Sequence, residues 1–472
     1  MNQNTNPESF RDSLSTINEQ GDREWLYPKK MKGKLYNLRH LLAYIFLAWF
    51  IILPFIQING HPFFLLDVIH RRFIIFGLVF WPQDFFLFGL GMLTFLVFII
   101  LFTALFGRVF CGWACPQTIF MEMVFRKIEY WIEGDSHQQK ILDKQEWNTD
   151  KIIKKFSKHF IFYALSFFIS NLFLSYIVGI KELEKIVTEP IGNHVGGFMA
   201  MLIFSGVFYF VFAKMREQIC LVVCPYGRLQ GVLLDKDSTV VAYDFKRGEP
   251  RGKINSTKGD CIDCHLCVQV CPTGIDIRNG TQLECINCAA CIDACDSIMK
   301  KVSKPKGLIR YASLKNILLK AKFSITPRMI SYTCILVILI TSESFLLITR
   351  SEIQSTILRS PGMVYQKQSG NRISNLYTVN LINKTFNDQV VQLKLISPSG
   401  ELQMIGGNYK IPAEGSMDGA LIVYLKQDSI KHNKNTLKLQ VWASSKLIDE
   451  KETVFVGPVK YADQDSLTIT TH

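Results

Sequence analysis

Eight of the chain's thirteen cysteines fall between Cys261 and Cys295, in two copies of one pattern. The first copy is Cys261, Cys264, Cys267 and Cys271, followed by Pro272; the second is Cys285, Cys288, Cys291 and Cys295. Each reads C-x-x-C-x-x-C-x-x-x-C, a spacing in which three thiolates grip one iron–sulfur cubane and the fourth reaches to its neighbour. Two [4Fe–4S] clusters are therefore expected. The cross-over assigns Cys261, Cys264, Cys267 and Cys295 to the first, and Cys271, Cys285, Cys288 and Cys291 to the second. Paired structural zinc sites or a disulfide framework are the alternatives, but zinc knuckles do not need a third cysteine at the next x-x step. Gly274, Ala289 and Ala290 suit close wrapping of backbone around a cubane.

The rest of the chain is unusually apolar for a soluble protein, with 49% hydrophobic residues and 35 Phe among 472 residues. A membrane protein is the first inference. The formal charge of +13 could signal nucleic-acid binding, yet membrane proteins also concentrate Lys and Arg on one face. No aromatic-basic RNA-binding motif is apparent, so no nucleic-acid partner is expected. Thiolate ligands belong in a reducing compartment, which argues against disulfides.

Taken in order, residues 1–40 read as a polar, then basic, cytoplasmic tail without a small-residue cleavage site. Apolar stretches at Leu41–Ile58, Phe85–Phe106, Phe160–Ile180, Gly196–Ala213 and Ile330–Thr349 predict five transmembrane helices. Glu343 must then sit near the outer interface or face the bundle. The tail, the 107–159 loop and the 214–328 segment hold seven, nine and nineteen Lys and Arg, against two each for 59–84 and 181–195. By the positive-inside rule the first three are cytoplasmic, which leaves the C-terminus outside. The cysteine runs, at about 255–300, fall on the reducing side. Residues 59–84, with Asp67, His70, Arg71, Arg72 and Asp84 among apolar neighbours, suggest a re-entrant or interfacial piece; Arg71 and Arg72 either snorkel to headgroups or contact a quinol or cofactor. From 355 to 472, short alternating stretches (Leu376–Ile382, Val390–Ile396, Ala420–Leu425, Leu437–Trp442, Thr453–Val456) argue for an all-β immunoglobulin-like sandwich. Its Asn383-Lys384-Thr385 reads as a chance sequon. The fold class is thus a multidomain membrane protein: five α-helical spans, a two-cluster ferredoxin-like α+β domain and an all-β sandwich.

Four further cysteines form two C-x-x-x-C-P motifs, Cys111-Gly112-Trp113-Ala114-Cys115-Pro116 and Cys220-Leu221-Val222-Val223-Cys224-Pro225, each after the cytoplasmic end of an inward-running span. On a helical turn, positions i and i+4 share a face, so each motif could present two sulfurs together. Thiolates select soft ions, Cu(I) above all, or iron; the plain alternative is two buried pairs used for packing. Arg108, Arg216 and Arg228 nearby would keep the thiols reactive. Cys334, in the fifth span, is expected to pack. Gly89-Leu90-Gly91 does not continue as a nucleotide fingerprint, so electrons must come through an unidentified donor.

Several of these segments together resemble one family. Arg108-Val-Phe-Cys-Gly-Trp-Ala-Cys-Pro-Gln117, Cys224-Pro-Tyr-Gly-Arg-Leu-Gln-Gly231, Arg247-Gly-Glu-Pro-Arg-Gly252, Cys271-Pro-Thr-Gly-Ile-Asp-Ile-Arg278 and Cys291-Ile-Asp-Ala-Cys-Asp296 are similar to the cytochrome c oxidase accessory proteins called CcoG, FixG or RdxA. The resemblance runs from Phe80-Trp-Pro-Gln-Asp84 to the C-terminal sandwich. A membrane ferredoxin of nitrate-reductase systems shares the helices and C-x-x-x-C-P pairs but lacks the sandwich. The resemblance implies a multi-pass protein of the bacterial inner membrane, with its C-terminal domain periplasmic, that reduces Cu(II) to Cu(I) during assembly of cbb3-type cytochrome c oxidase. Copper donor and acceptor proteins would be its partners. Cys111, Cys115, Cys220 and Cys224 would then handle copper, and the eight clustered cysteines would carry electrons. Two other readings stay open: an electron-transfer subunit that uses no copper, and a non-redox copper chaperone or scaffold. Asp296 stands where the first run has Pro272, a departure that removes no ligand.

Overall fold

A computed structural model describes residues 16–17, 20, 22–58, 60–68, 72–253, 259–319, 326–362, 364–430, 432–443 and 446–458. His70 and Arg71 lie outside these. The chain forms two units, one from residues 1–56 and 88–343 and the other from 57–87 and 344–472.

Five helices among the described residues are long and apolar enough to cross a membrane: Lys34–Phe55, Phe85–Phe106, Thr149–Val178, Val195–Met215 and Pro327–Ile348. Two differ from the apolar stretches that announce them. The first begins seven residues before Leu41 and tightens into a 3-10 turn at Leu53–Phe55, where Pro54 ends the regular ladder. The third begins at Thr149, because Asn148 caps it by accepting from the Lys151 amide at 2.8 Å. Its polar first turns then carry the helix beyond the apolar run. In the bundle Ser170 and Ser205 bond at 2.8 Å between the third and fourth helices. A Cβ on Gly91 would stand 2.8 Å from the Glu343 carboxylate, so the Glu343 side chain lies against the second helix. Cys334 is exposed rather than packed.

Among the described residues, three π-helical stretches interrupt the α-helical backbone of this unit, at Phe120–Phe125, Val211–Met215 and Ile219–Val223. Such widened turns collect at functional sites. They surround a buried ion network: Arg216 bonds Glu129 at 2.6 Å, Lys158 meets Glu133 at 2.8 Å, and Arg126 meets Glu122 at 3.0 Å. Arg216 is thereby committed to carboxylates.

The second unit is an antiparallel sandwich. One sheet orders Glu401–Met404, Ser416–Lys426, Arg372–Asn383 and Ile353–Arg359, with Gln366–Gln368 also on Arg372–Asn383; the other orders Tyr409–Ile411, Gln389–Ser397, Lys434–Ala443 and Lys446–Val456. Alternation puts Leu421, Val423 and Leu425 from one sheet against Leu437, Leu439 and Val441 from the other, all fully buried. Asn383 is buried too, its amide donating to the Asn387 and Pro412 carbonyls, so the sequon is closed to modification.

The 59–84 piece, expected to be re-entrant or interfacial, is built of β-strands rather than plain loop. It forms a three-stranded antiparallel sheet, Phe64–Asp67, Arg72–Ile75 and Leu78–Phe80, and belongs to the same unit as the sandwich. Asp67 ends its first strand, in register with Arg72. Leu65, Ile74 and Val79 bury their side chains with Phe386 against them. Asp84 anchors the piece: it accepts from Arg350 at 2.5 Å and from Lys384 at 2.6 Å. The burial satisfies apolar residues that a loop would have left in water.

Candidate iron–sulfur and thiol site

Each cysteine run turns on left-handed residues. In the first these are Asp263 and His265; in the second, at the same two positions, they are Asn287 and Ala289. Asp and Asn tolerate this conformation, whereas Ala and His hold it at a cost that the surrounding structure must offset. The repeated turns fold each C-x-x-C-x-x-C into a cup. In each cup a helix begins one residue before the third cysteine, at Leu266–Gln269 and Ala290–Lys301. Antiparallel strands Val240–Tyr243 and Ile309–Ala312 flank the pair.

The cups enclose two cavities. One is lined by Cys261, Cys264, Cys267 and Cys295, the other by Cys271, Cys285, Cys288 and Cys291 with Cys267 at its edge. The donor set fits the group that the spacing implies: four thiols from two sequence runs meet around each space. Burial raises these thiols, Cys267, Cys285 and Cys295 to about 12 and Cys288 to about 11. Left without metal they are neutral at pH 7, and an iron centre would have to displace their protons. Of the eight, Cys264 is the exposed one. Asp296 accepts from the Gly307 amide at 2.9 Å, which gives this residue a structural task where Pro was the alternative.

The second run is fastened to the membrane helices by contacts that sequence spacing does not reveal. Asp293, from its helix, accepts from the amides of Leu35 and Tyr36 at 3.3 and 2.8 Å, capping the first membrane helix. A Cβ on Gly112 would stand 2.9 Å from the Cys288 amide nitrogen, so the loop between Cys111 and Cys115 lies directly on the backbone of the second cup. Glycine is required there by close approach. Trp113 Nε1 donates to the Asn287 carbonyl at 3.2 Å, and Arg39 Nε donates to the Gly112 carbonyl at 2.6 Å. Arg108 bonds the Leu283 carbonyl.

The two C-x-x-x-C-P motifs share a local geometry, though not the helical turn expected for i and i+4. Cys111 lies in a short helix, Val109–Trp113, and Cys220 in the π-helical Ile219–Val223. Cys115 and Cys224 are extended, with ψ of 124° and 109°. A following proline drives its predecessor out of helical conformation. Each of these two amides bonds five residues back, Cys115 to Phe110 at 2.9 Å and Cys224 to Ile219 at 2.8 Å.

The four thiols stand together: Cys115 and Cys224 act on Cys111, and Cys111, Cys115 and Cys224 act on Cys220. Among the described residues, however, no three His, Cys, Asp or Glu side chains are gathered around one ion-sized point. Arg108 does stand beside Cys111, but burial prevails and holds that thiol up at about 11; burial likewise raises Cys220 to about 12. Gln230, fully buried, was not singled out by sequence reasoning. It meets the Cys111 sulfur at 2.9 Å and donates to Tyr226 at 2.9 Å and Thr103 at 3.1 Å. Its place in Cys224-Pro-Tyr-Gly-Arg-Leu-Gln-Gly231, one of the quoted segments, was the available signal.

Three family descriptions match this chain: a 4Fe-4S dicluster domain over residues 215–314, a 4Fe-4S binding domain over 88–134, and the IG-like fold at the C-terminal of FixG over 344–458. The chain is 31% identical to Protein RdxB of Cereibacter sphaeroides over 92% of its own length and 96% of RdxB. It is 33% identical to Protein RdxA of the same organism over 62% of this chain and 63% of that one. Nitrogen fixation protein FixG of Rhizobium meliloti is 33% identical over 62% of this chain and 58% of its own length. The chain thus matches less than two thirds of the length of RdxA and of FixG. A FixG-related protein of Vibrio parahaemolyticus, solved as a crystal structure, aligns with 23% of this chain and 97% of its own at 17% identity, with a TM-score of 0.20.

Proposed function

We propose, from the premise that this chain belongs to the RdxA, RdxB and FixG family of membrane iron–sulfur proteins, that its electrons are delivered to the paired C-x-x-x-C-P thiols. There they would reduce Cu(II) to Cu(I) for assembly of a cbb3-type cytochrome c oxidase. The eight clustered cysteines hold two [4Fe–4S] groups, which when bound supply one-electron transfer. The basic segments face the cytoplasm and the sandwich faces the periplasm, in keeping with the positive-inside rule.

The observation that carries this reading is the seating of Gly112 on Cys288. It puts the loop that bears Cys111 and Cys115 against the backbone of the second cup, so the run of contacts has a direction. Cys264, exposed at the first cup, offers the end at which a soluble donor can approach. Gln230 and Arg108 fix the Cys111 sulfur at the other end. Soft thiolates favour Cu(I) over Cu(II), so product binding assists the reduction.

The test is anaerobic mixing of dithionite-reduced protein with Cu(II). Cluster reoxidation with matching Cu(I) formation is expected. Reoxidation by a quinone, with none by copper, would replace this reading by electron transfer without copper; reduced clusters that persist with copper present would leave only a chaperone or scaffold.

A further inference from the structure

The two cups meet different charges. Beside the first stands Arg278, which lines that cavity and is almost wholly buried. Its guanidinium is spoken for: it bonds Asp263 at 2.5 Å and Asp276 at 2.6 Å. Asp296 adds a further negative charge that acts on Cys295. Arg251 also acts on Asp263 and Asp276 and is itself paired with Glu249, so two cations stand among four carboxylates.

Around the second cup the balance reverses. Arg39 acts on Cys288 and Arg108 on Cys285, and the two are 5% and 3% exposed. Neither has a carboxylate within ion-pair distance among the described residues. Arg39 spends its Nε on the Gly112 carbonyl, and its Nη2 has no hydrogen-bond partner; Arg108 bonds the Leu283 carbonyl and leaves Nε without one. Carbonyl oxygens satisfy donors without cancelling charge. Glu122 is the carboxylate that acts on Cys288 from across the neighbouring cavity, and it is paired with Arg126.

We infer that Arg39 and Arg108 are positioning residues that set the second cluster at a higher reduction potential than the first, so that electrons collect against Gly112 and the paired thiols. Adding an electron adds a negative charge, which a buried and unneutralised guanidinium stabilises far more than one already paired. Charge near the cluster and hydrogen bonding to its ligands are the protein's means of tuning it. Arg39 and Arg108 also touch the loop that carries Cys111, so the residues that tune the centre hold it to its outlet.

The inference rests on Cys271, Cys285, Cys288 and Cys291 holding a cluster, and the experiment separates the two claims. Full-length protein in detergent is titrated anaerobically with paramagnetic-resonance detection. Iron content and two cubane signals test the ligand assignment, and Cys288→Ser identifies which signal is the second cluster. In Arg39→Gln and in Arg108→Gln, the reduced-to-oxidised ratio of that cluster at a fixed potential is expected to fall at least tenfold. For a one-electron couple this is about 59 mV. The first cluster should not move, and Arg39→Lys should restore most of the shift. Glu122→Gln supplies the opposite sign, an upward shift, and keeps the test open if an arginine variant fails to load iron. Midpoints that stay put in all variants, or both clusters moving together, would overturn the inference while leaving the cluster assignment standing.

Discussion

Asp263 and His265 in the first cysteine run adopt the same left-handed conformations as Asn287 and Ala289 in the second, yet the charges and neighbours that meet the two runs differ. The first presents an exposed Cys264 and an arginine locked between two aspartates. The second is pressed on Gly112, capped to a membrane helix through Asp293, and faced by two arginines that have no carboxylate partner among the described residues. Spacing thus determines that a cluster is held. Surroundings determine what it is held for.

The largest effect that could break this comparison is loss of one cluster alone. Cys288→Ser should cost about four of about eight irons and one of two cubane signals, as read by metal analysis; loss of all iron would mean the runs are not separable. Next is Gly112→Ala. Its new Cβ must displace the Cys288 backbone, so iron should be kept while electron delivery to copper slows at least tenfold by stopped-flow absorbance. Slower delivery from an equally distorted first cluster would blur the distinction.

Removing iron should open the thiols of both runs to titration. The folded thiols, at about 11 to 12 for Cys267, Cys285, Cys288 and Cys295 against an ordinary value of 9, bind protons more tightly than unfolded ones. Their contribution to the stability of iron-free protein is therefore whole below pH 9 and lost as pH rises through 11 to 12. Denaturant midpoints measured across that range should fall. The smallest effect expected is from Asp293→Ala, which removes the cap on Leu35 and Tyr36 and should cost about 1 kcal/mol. Thermal melting would show it, with the first cluster's spectrum unchanged.

How much of this was legible in the sequence depends on the range of the interaction. Five spans and two cysteine cups could be read because length, apolarity and spacing are local. The seating of Gly112 on Cys288 could not, since it joins residues from different segments. The expected i and i+4 presentation failed for a local reason: Pro116 and Pro225 force Cys115 and Cys224 out of the helix. The sheet within 59–84 was not legible, because its apolar residues suit a membrane surface as well as a small packed sheet. Phe386, which packs against Val79, and Arg350 and Lys384, which pair with Asp84, all lie more than two hundred and fifty residues later.

The most direct test of the account is the rate at which Cu(II) reoxidises the reduced clusters when Cys111, Cys115, Cys220 and Cys224 are all replaced by Ser. The account predicts full iron content, both cubane signals, and loss of copper binding and copper-driven reoxidation. Unchanged reoxidation, or loss of iron in step with the loss of rate, would contradict it.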